Sequence, residues 1–212
     1  KKLAPRIYPT VEQKWQAVVQ RIEELHETGR PVLVGTATVF ASEQLSALVA
    51  ERGLAHQVLN AKQDKEEAEI ISRAGRAGGI TIATDMAGRG TDIKLGKGVK
   101  ELGGLHVIAT EVHEAARIDR QLAGRCGRQG DPGSYELLLS LEDHIFTGGN
   151  RGLVSLFGQY FSAFSPIGQC LARRSMKHAQ KRIEKYYAQV RKDIFRQTMA
   201  EGNLLSFSGP GE

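Results

Sequence analysis

Apolar residues recur along this chain in two alternating rhythms. Val11, Trp15, Val18, Val19, Ile22 and Leu25 return at helical spacing behind Thr10 and Gln13, which can form a capping box, and Gly29 ends the run. Pro31-Val32-Leu33-Val34-Gly35 then reads as a short buried strand. Ser42 is placed to cap a helix through Leu45, Leu48 and Val49 to Gly53, and His56-Gln57-Val58-Leu59 makes a second strand. Asp64 and Glu67 repeat the capping pattern before Ala68, Ile70 and Ile71. Ile80-Thr81-Ile82-Ala83 and Leu105-His106-Val107-Ile108-Ala109 are the third and fourth strands. A helix from about 114 to 123 and a fifth strand at Tyr135-Glu136-Leu137-Leu138-Leu139-Ser140 follow. Short apolar strands alternating with amphipathic helices predict an α/β fold of βαβ crossovers, with a mainly parallel sheet flanked by helices.

After Phe146 the pattern changes. Thr147-Gly148-Gly149-Asn150 marks a boundary. Leu153, Leu156, Phe157, Tyr160 and Phe161 suggest a short helix, and Pro166 interrupts. A long helix is expected from about 168 to 199, with Ile183, Tyr187, Val190 and Ile194 forming a stripe that needs a partner. The expected organisation is therefore a linker over 1–9, a domain over 10–147, a helical segment over 148–199 and a flexible tail over 200–212. The basic start reads as the middle of a longer protein, and the Ser206-to-Glu212 ending as a natural terminus.

Charge sharpens this division. The net charge is +5, but nine Lys/Arg against Glu184 and Asp193 give the stretch 168–199 a charge of +7, which leaves the rest near −2. No apolar run reaches the roughly 18 residues of a membrane-crossing helix, and no secretory leader pattern opens the sequence. Cys126 and Cys170 form neither a disulfide framework nor a zinc pattern, and the six histidines never take metal-ligand spacing, so no metal site is expected. A reducing cytosolic location follows by default.

Two blocks carry candidate chemistry. The first is Thr84-Asp85-Met86-Ala87-Gly88-Arg89-Gly90-Thr91-Asp92-Ile93, and the second is Gln121-Leu122-Ala123-Gly124-Arg125-Cys126-Gly127-Arg128-Gln129-Gly130. Each combines guanidiniums, small residues that let backbone come close, and a carboxylate or amide. Together they can grip a nucleoside triphosphate from one side. Both are expected beyond the carboxyl ends of strands, where ligands of parallel sheets sit. Arg125 and Arg128, three apart on a helical turn, can reach the same phosphate, since a planar guanidinium binds oxyanions and keeps its charge. Gln121 lies one turn upstream. The alternative is surface arginines favoured by a helix C-terminus. Asp92 is suited to a ribose hydroxyl, or alternatively to a local turn cap. Gly88 and Gly90 permit tight turns. Arg89 can sense phosphate or pair across a domain cleft. Gly90-Thr91-Asp92-Ile93-Lys94-Leu95-Gly96-Lys97-Gly98 mimics a P-loop, but five residues separate its glycines and Gly98 follows the lysine, so it reads as a flexible loop. Trp15 reads as core, Glu142-Asp143 as the start of a short helix, and Tyr186 and Tyr187 beside Lys181, Arg182 and Lys185 as a basic face set against another domain, with base stacking as the alternative.

The run TIATDMAGRGTDI, then GGLHVIATEVHEAARIDRQLAGRCGRQGDPGS and LSLEDHIF, resembles the second RecA-like motor domain of the SecA family of protein-translocase ATPases. PVLVGTATVFASEQLSALV and HQVLNAK continue the likeness upstream, and HAQKRIEKYYAQVRKDIF resembles the start of the family's helical scaffold. The resemblance implies a RecA-like, P-loop-NTPase-type sheet of the superfamily-two helicase kind. It implies ATP and Mg²⁺ as cofactors, the metal being held mainly by a first motor domain that also carries the P-loop. By that resemblance Asp92 contacts the ribose, Arg125 and Arg128 are arginine fingers, Gly90, Thr91 and Gln121 belong to the ATP site, and Arg89 serves interdomain coupling. Implied partners are the first motor domain of the same protein, a membrane translocon and unfolded preprotein, at a cytoplasmic location peripheral to the inner membrane; nucleic acid is disfavoured. Ala123, Val112 and Ala116 depart from the family by standing where it has charged residues. A nucleic-acid helicase half and a catalytically silent docking module are the alternatives that the motor motifs alone leave open.

Overall fold

The computed structural model describes residues 1–59, 70–84, 92–113, 115–147 and 166–207, and within these all side chains but those of 166, 167, 197 and 200–207. Six strands, β1 (Arg6–Tyr8), β2 (Val32–Thr36), β3 (Gln57–Leu59), β4 (Ile80–Thr84), β5 (Leu105–Ala109) and β6 (Gly133–Ser140), form one sheet in the order β1-β6-β5-β2-β4-β3. Every pairing is parallel, with registers such as Val32↔Ile80, Val34↔Ile108 and Val107↔Tyr135. The helices that lie wholly within the described residues are α1 (Val11–Glu27), α2 (Val39–Glu51), α3 (Ala116–Ala123), α4 (His144–Thr147) and α5 (Pro166–Phe207), with a 3₁₀ turn at Arg128–Gly130.

Parallel strands must be covered on both faces, which explains why β2, β4 and β5 are buried throughout. One face presents Val32, Val34, Ile80, Ile82, Ile108 and Leu138 to Trp15, Val18, Ile22 and Leu25 of α1 and to Leu45 and Val49 of α2. The other presents Leu33, Ala83, Val107, Leu137 and Leu139 to Leu122 of α3, Met176 and Ala179 of α5, and the segment carrying Ile93. Trp15 is core, as its place on the stripe predicts.

Several elements differ from expectation. The segment 1–9 is a sheet edge and not a linker: Ile7 pairs with Leu139, and Lys2 bridges to Tyr135. Its exposed side is closed by α5, where Gln169 Nε2 donates to Ile7 O at 2.7 Å and Ile7 N donates to Gln169 Oε1 at 3.2 Å. An amide thus supplies both hydrogen bonds that a seventh strand would have made. Thr38, not Ser42, caps α2, its Oγ1 accepting from Ala41 N at 3.1 Å; Ser42 lies inside the helix and donates to Val39 O. The threonine half of the predicted box on α1 forms, with Gln13 N donating to Thr10 Oγ1. Glu142, expected to serve the short helix that follows it, instead accepts from Val11 N in the first turn of α1 at 2.8 Å. The long helix continues to Phe207, so 200–207 are helical where a flexible tail was expected. Asp64, Glu67 and Leu153 to Phe161 lie outside the described residues.

The first five turns of α5 dock onto the domain, and the rest projects. Ile183 packs against the core, but Ile194, Phe195 and Met199 are exposed, so the predicted stripe is covered only at its beginning. No helix among the described residues is long and apolar enough to cross a membrane, and no cluster of three or more metal-ligating side chains is present among them.

Candidate functional site

The two blocks meet. Arg128 Nη1 donates to Asp92 Oδ1 at 2.7 Å, joining residues 36 apart, and Arg128 Nε donates to Gly124 O at 3.0 Å. Both side chains are about two-fifths exposed, so the ion pair is weakly held and open to exchange. Gln121 is exposed on α3, and Arg125 sits partly buried in the turn that follows. Arg89, Gly90 and Thr91 lie outside the described residues.

The geometry around these side chains corrects two expectations. Arg125 and Arg128 do not share a helical turn, because α3 ends at Ala123 and the chain reverses at Gly127, whose φ is +69°. That reversal swings Arg128 back over the end of α3. Nor do the arginines lie beyond the carboxyl ends of the strands. The crossover helix leaves the carboxyl end of β5 and returns antiparallel to it. The turn at 124–130 therefore reaches the amino end of β6, where a Cβ on Gly133 would stand 2.8 Å from Gly127 N. Asp92 is brought back too. The segment after it is pinned at Gly75, where an added Cβ would stand 2.2 Å from Lys94 O, and Gly96 N donates to Gly75 O at 2.8 Å. In the described part of the P-loop mimic Ile93 is buried in the core, while Lys94, Lys97 and Gly98 are exposed, so the segment is anchored at its start.

Cys126, between the two arginines, donates to Ala123 O and Ser134 O, and burial pushes its thiol up from the ordinary value. It is therefore a protonated packing residue at neutral pH.

Three groups were missed in the sequence. On the α1 face, Glu136 is fully buried, with Arg21 Nε at 3.1 Å, Arg6 Nε at 3.2 Å and His106 Nε2 at 3.4 Å. Burial would raise its carboxyl. The neighbouring His106 imidazole and the charges of Arg6 and Arg21 outweigh that and hold it below the ordinary value. Burial lowers His106 despite Glu136, and its Nδ1 meets Ser134 Oγ at 2.6 Å, where Arg30 also donates. Second, Lys14 is buried against Asp143 at 2.6 Å and donates to Thr110 O at 3.3 Å. Third, Gln180 and Glu184 of α5 grip the start of α3. Glu136 in a strand and Lys14 in an apolar helix face break the local pattern, which was the available signal.

The family described as the SecA P-loop domain matches residues 2–99 and 96–154. Protein translocase subunit SecA 2 of Nitrosospira multiformis is 45% identical over 212 residues, covering 100% of this chain and 32% of that protein. Protein translocase subunit SecA of Nitratidesulfovibrio vulgaris strain DP4 is 50% identical over 92% of this chain and 24% of its own length. The chain thus spans about a quarter to a third of these relatives. Among solved structures, the E. coli DEAD-box protein SrmB, bound to the regulator RraA, aligns with a TM-score of 0.55 at 21% identity over 68% of this chain and 80% of its own. Domain 2 of the DEAD-box helicase Mss116p, bound to an RNA duplex, aligns at 0.52 and 18% identity over 68% of this chain and 57% of its own. These neighbours establish the fold as RecA-like, and the match along 2–154, with relatives sharing nearly half of all positions, makes this chain a member of the SecA family.

Proposed function

We propose that this chain is the second motor half of a SecA-type ATPase that couples ATP hydrolysis to protein translocation. The observation that carries the reading is the contact between Arg128 and Asp92, which joins the two motif blocks at one exposed place. In this reading ATP lies between this domain and a first motor domain of the same protein, which supplies the P-loop and most ligands of Mg²⁺. Asp92 accepts from the ribose, Gly90, Thr91 and Gln121 line the nucleotide, and Arg89 links its phosphate end to the facing domain.

The described residues fit such a role. Asp92 and Arg128 are exposed enough to be reached, and Gly124 and Gly127 put no side chain in the way. Arg128 reaches a phosphate by exchanging Asp92 and the Gly124 carbonyl for it. That exchange frees Asp92 for the ribose, so one motion prepares both contacts. The triphosphate supplies the bond that is cleaved. Arg125 and Arg128 add positive charge where negative charge builds on the transferring phosphoryl group, and this preorganised charge accelerates the step. The reading places the protein in the cytoplasm and at the membrane surface, acting on unfolded preprotein at a translocon; the relatives' names as protein translocase subunits support the translocation.

The test joins the chain to a SecA first motor domain. Arg128→Ala should lower kcat for ATP by roughly 10³-fold, the scale of an arginine finger, with nucleotide affinity changed only a few-fold. Unchanged turnover would refute the finger assignment. Fold likeness alone supports a nucleic-acid helicase; tight single-stranded RNA or DNA binding with a steep salt dependence would favour it instead.

A further inference from the structure

Helix α3, which leads into the arginine turn, has no cap of its own among the described residues. Ala115 occupies its N-cap position with φ −116° and ψ 113°, and no side chain there accepts a hydrogen bond. The cap comes from α5, 68 residues along the chain, where Glu184 Oε1 accepts from Ala116 N at 2.9 Å. One turn earlier on α5, Gln180 Nε2 donates to Asp119 Oδ2 at 2.7 Å and to His113 O at 3.3 Å. Asp119 Oδ1 accepts from His113 N at 3.1 Å and meets His113 Nδ1 at 2.7 Å. The first turn of α3 and the strand-to-helix connection before it are thus tied together and held by two side chains of a single α5 face. Met176 and Ala179 of α5 are buried in the core that also takes Leu122 of α3, and Ile183 packs against it.

An eight-residue helix does not hold itself in water, so the contacts around α3 set its direction. Its far end bears the exposed, exchangeable Arg128–Asp92 pair. Its near end bears the part-buried clamp from α5. We propose that Glu184 and Gln180 are positioning residues for the arginine pair: they fix the first turn of α3 on α5, so that the arginines are presented at one setting and a displacement of α5 resets them. This rests on the finger reading above.

The test uses the chain joined to a SecA first motor domain and separates the clamp from the fingers. Glu184→Ala should lower kcat for ATP about fivefold, the population cost of losing a typical N-cap, and leave KM within about twofold. Glu184→Gln keeps an accepting oxygen without the charge and should recover most of the turnover that Glu184→Ala loses. Ala116→Pro deletes the amide that Glu184 serves; proline is tolerated at the first helical position, and Ala115 already has the extended backbone a following proline requires. In that background Glu184→Ala should have less than about a 1.5-fold effect on kcat. Each of these variants leaves Met176 and Ala179 in place, and an unchanged melting temperature of the joined protein to within a few degrees verifies that α5 stays docked. Wild-type kcat in Glu184→Ala, with turnover lost in Arg128→Ala, would overturn the clamp and leave the finger reading standing. A loss that Glu184→Gln fails to rescue, or that persists in the Ala116→Pro background, would also overturn the clamp. Unchanged turnover in Arg128→Ala would overturn both readings.

Discussion

The buried pair Lys14–Asp143 offers a quantitative test of how the domain is held together around the β5–α3 connection. The ammonium and carboxylate are 2.6 Å apart, with side chains 3% and 8% exposed. Among the described residues Lys14 also meets Thr110 O at 3.3 Å and the Trp15 ring at 4.9 Å from its centroid. Asp143 Oδ2 also accepts from Ser140 N at 2.7 Å. Asp143→Ala therefore leaves a buried ammonium on one long hydrogen bond and a ring face, and frees a backbone donor. Removing one partner of a buried pair costs about 3–5 kcal/mol, a large share of the roughly 5–15 kcal/mol that holds a domain folded. For a chain of this size that corresponds to a fall in Tm of about 6–20 °C. Burial pushes the Asp143 carboxyl above its ordinary value even against the pull of Lys14, so desolvation is not fully offset. The double variant Lys14→Met/Asp143→Leu should therefore lie within about 1.5 kcal/mol of wild type. Urea unfolding followed by circular dichroism at neutral pH measures both. A cost below about 1 kcal/mol for Asp143→Ala, or a double variant as unstable as the single one, would refute the reasoning.

Three further outcomes are expected. Burial lowers His106 while the unfolded histidine titrates near 6.5, so the unfolded chain takes up the proton first. Stability should thus fall as pH drops from about 6.5, and His106→Gln should flatten that slope in urea midpoints measured between pH 7.5 and 5.5. Gly127 and Gln129 both have positive φ, at +69° and 53°, so Gly127→Ala should lower Tm through about 1–2 kcal/mol of left-handed strain, while Gln129→Gly should raise it slightly. The sequence contains no G-x-x-x-x-G-K-[ST] loop, so the 212-residue chain by itself should show no ATP turnover; turnover by the purified chain that disappears with Arg125→Ala would contradict the shared-site reading.

The sheet was legible because β2, β4 and β5 are buried on both faces and so appear as unbroken apolar runs. β1 was not, because three residues between Pro5 and Pro9 carry no period, and their strand character comes from β6 and Gln169. Ser42 and Thr38 are equally good caps in isolation; packing chose Thr38 and left Ser42 buried in the helix. At the site, the meeting of Asp92 with Arg128 was legible from motif content. Their place in the fold was not, since the return of α3 to the amino end of β6 and the reversal at Gly127 are tertiary and backbone effects that residue spacing does not encode. Gln180 and Glu184 were invisible for a related reason. A polar residue on a basic, amphipathic helix reads as solvent-facing until the partner helix is located.

The two ends of α3 differ in a way that bears on how force could pass through it. Eight residues make a helix about 12 Å long. A swing of about 10° about its first turn moves the far end by about 2 Å, which is enough to make or break a hydrogen bond. Exposed contacts such as Arg128–Asp92 are worth about 0–1 kcal/mol, so they yield readily. The clamp at the other end joins one charged acceptor to a backbone amide and a side-chain amide to a second carboxylate, all part-buried. Charge-assisted hydrogen bonds of this kind are the stronger class, and they should hold while the far end moves. A pivot of this design transmits in both directions. On the proposed reading, binding that draws Arg128 away from Asp92 should bias the angle between α3 and α5, and a load on the projecting part of α5 should bias the arginines by the same coupling free energy.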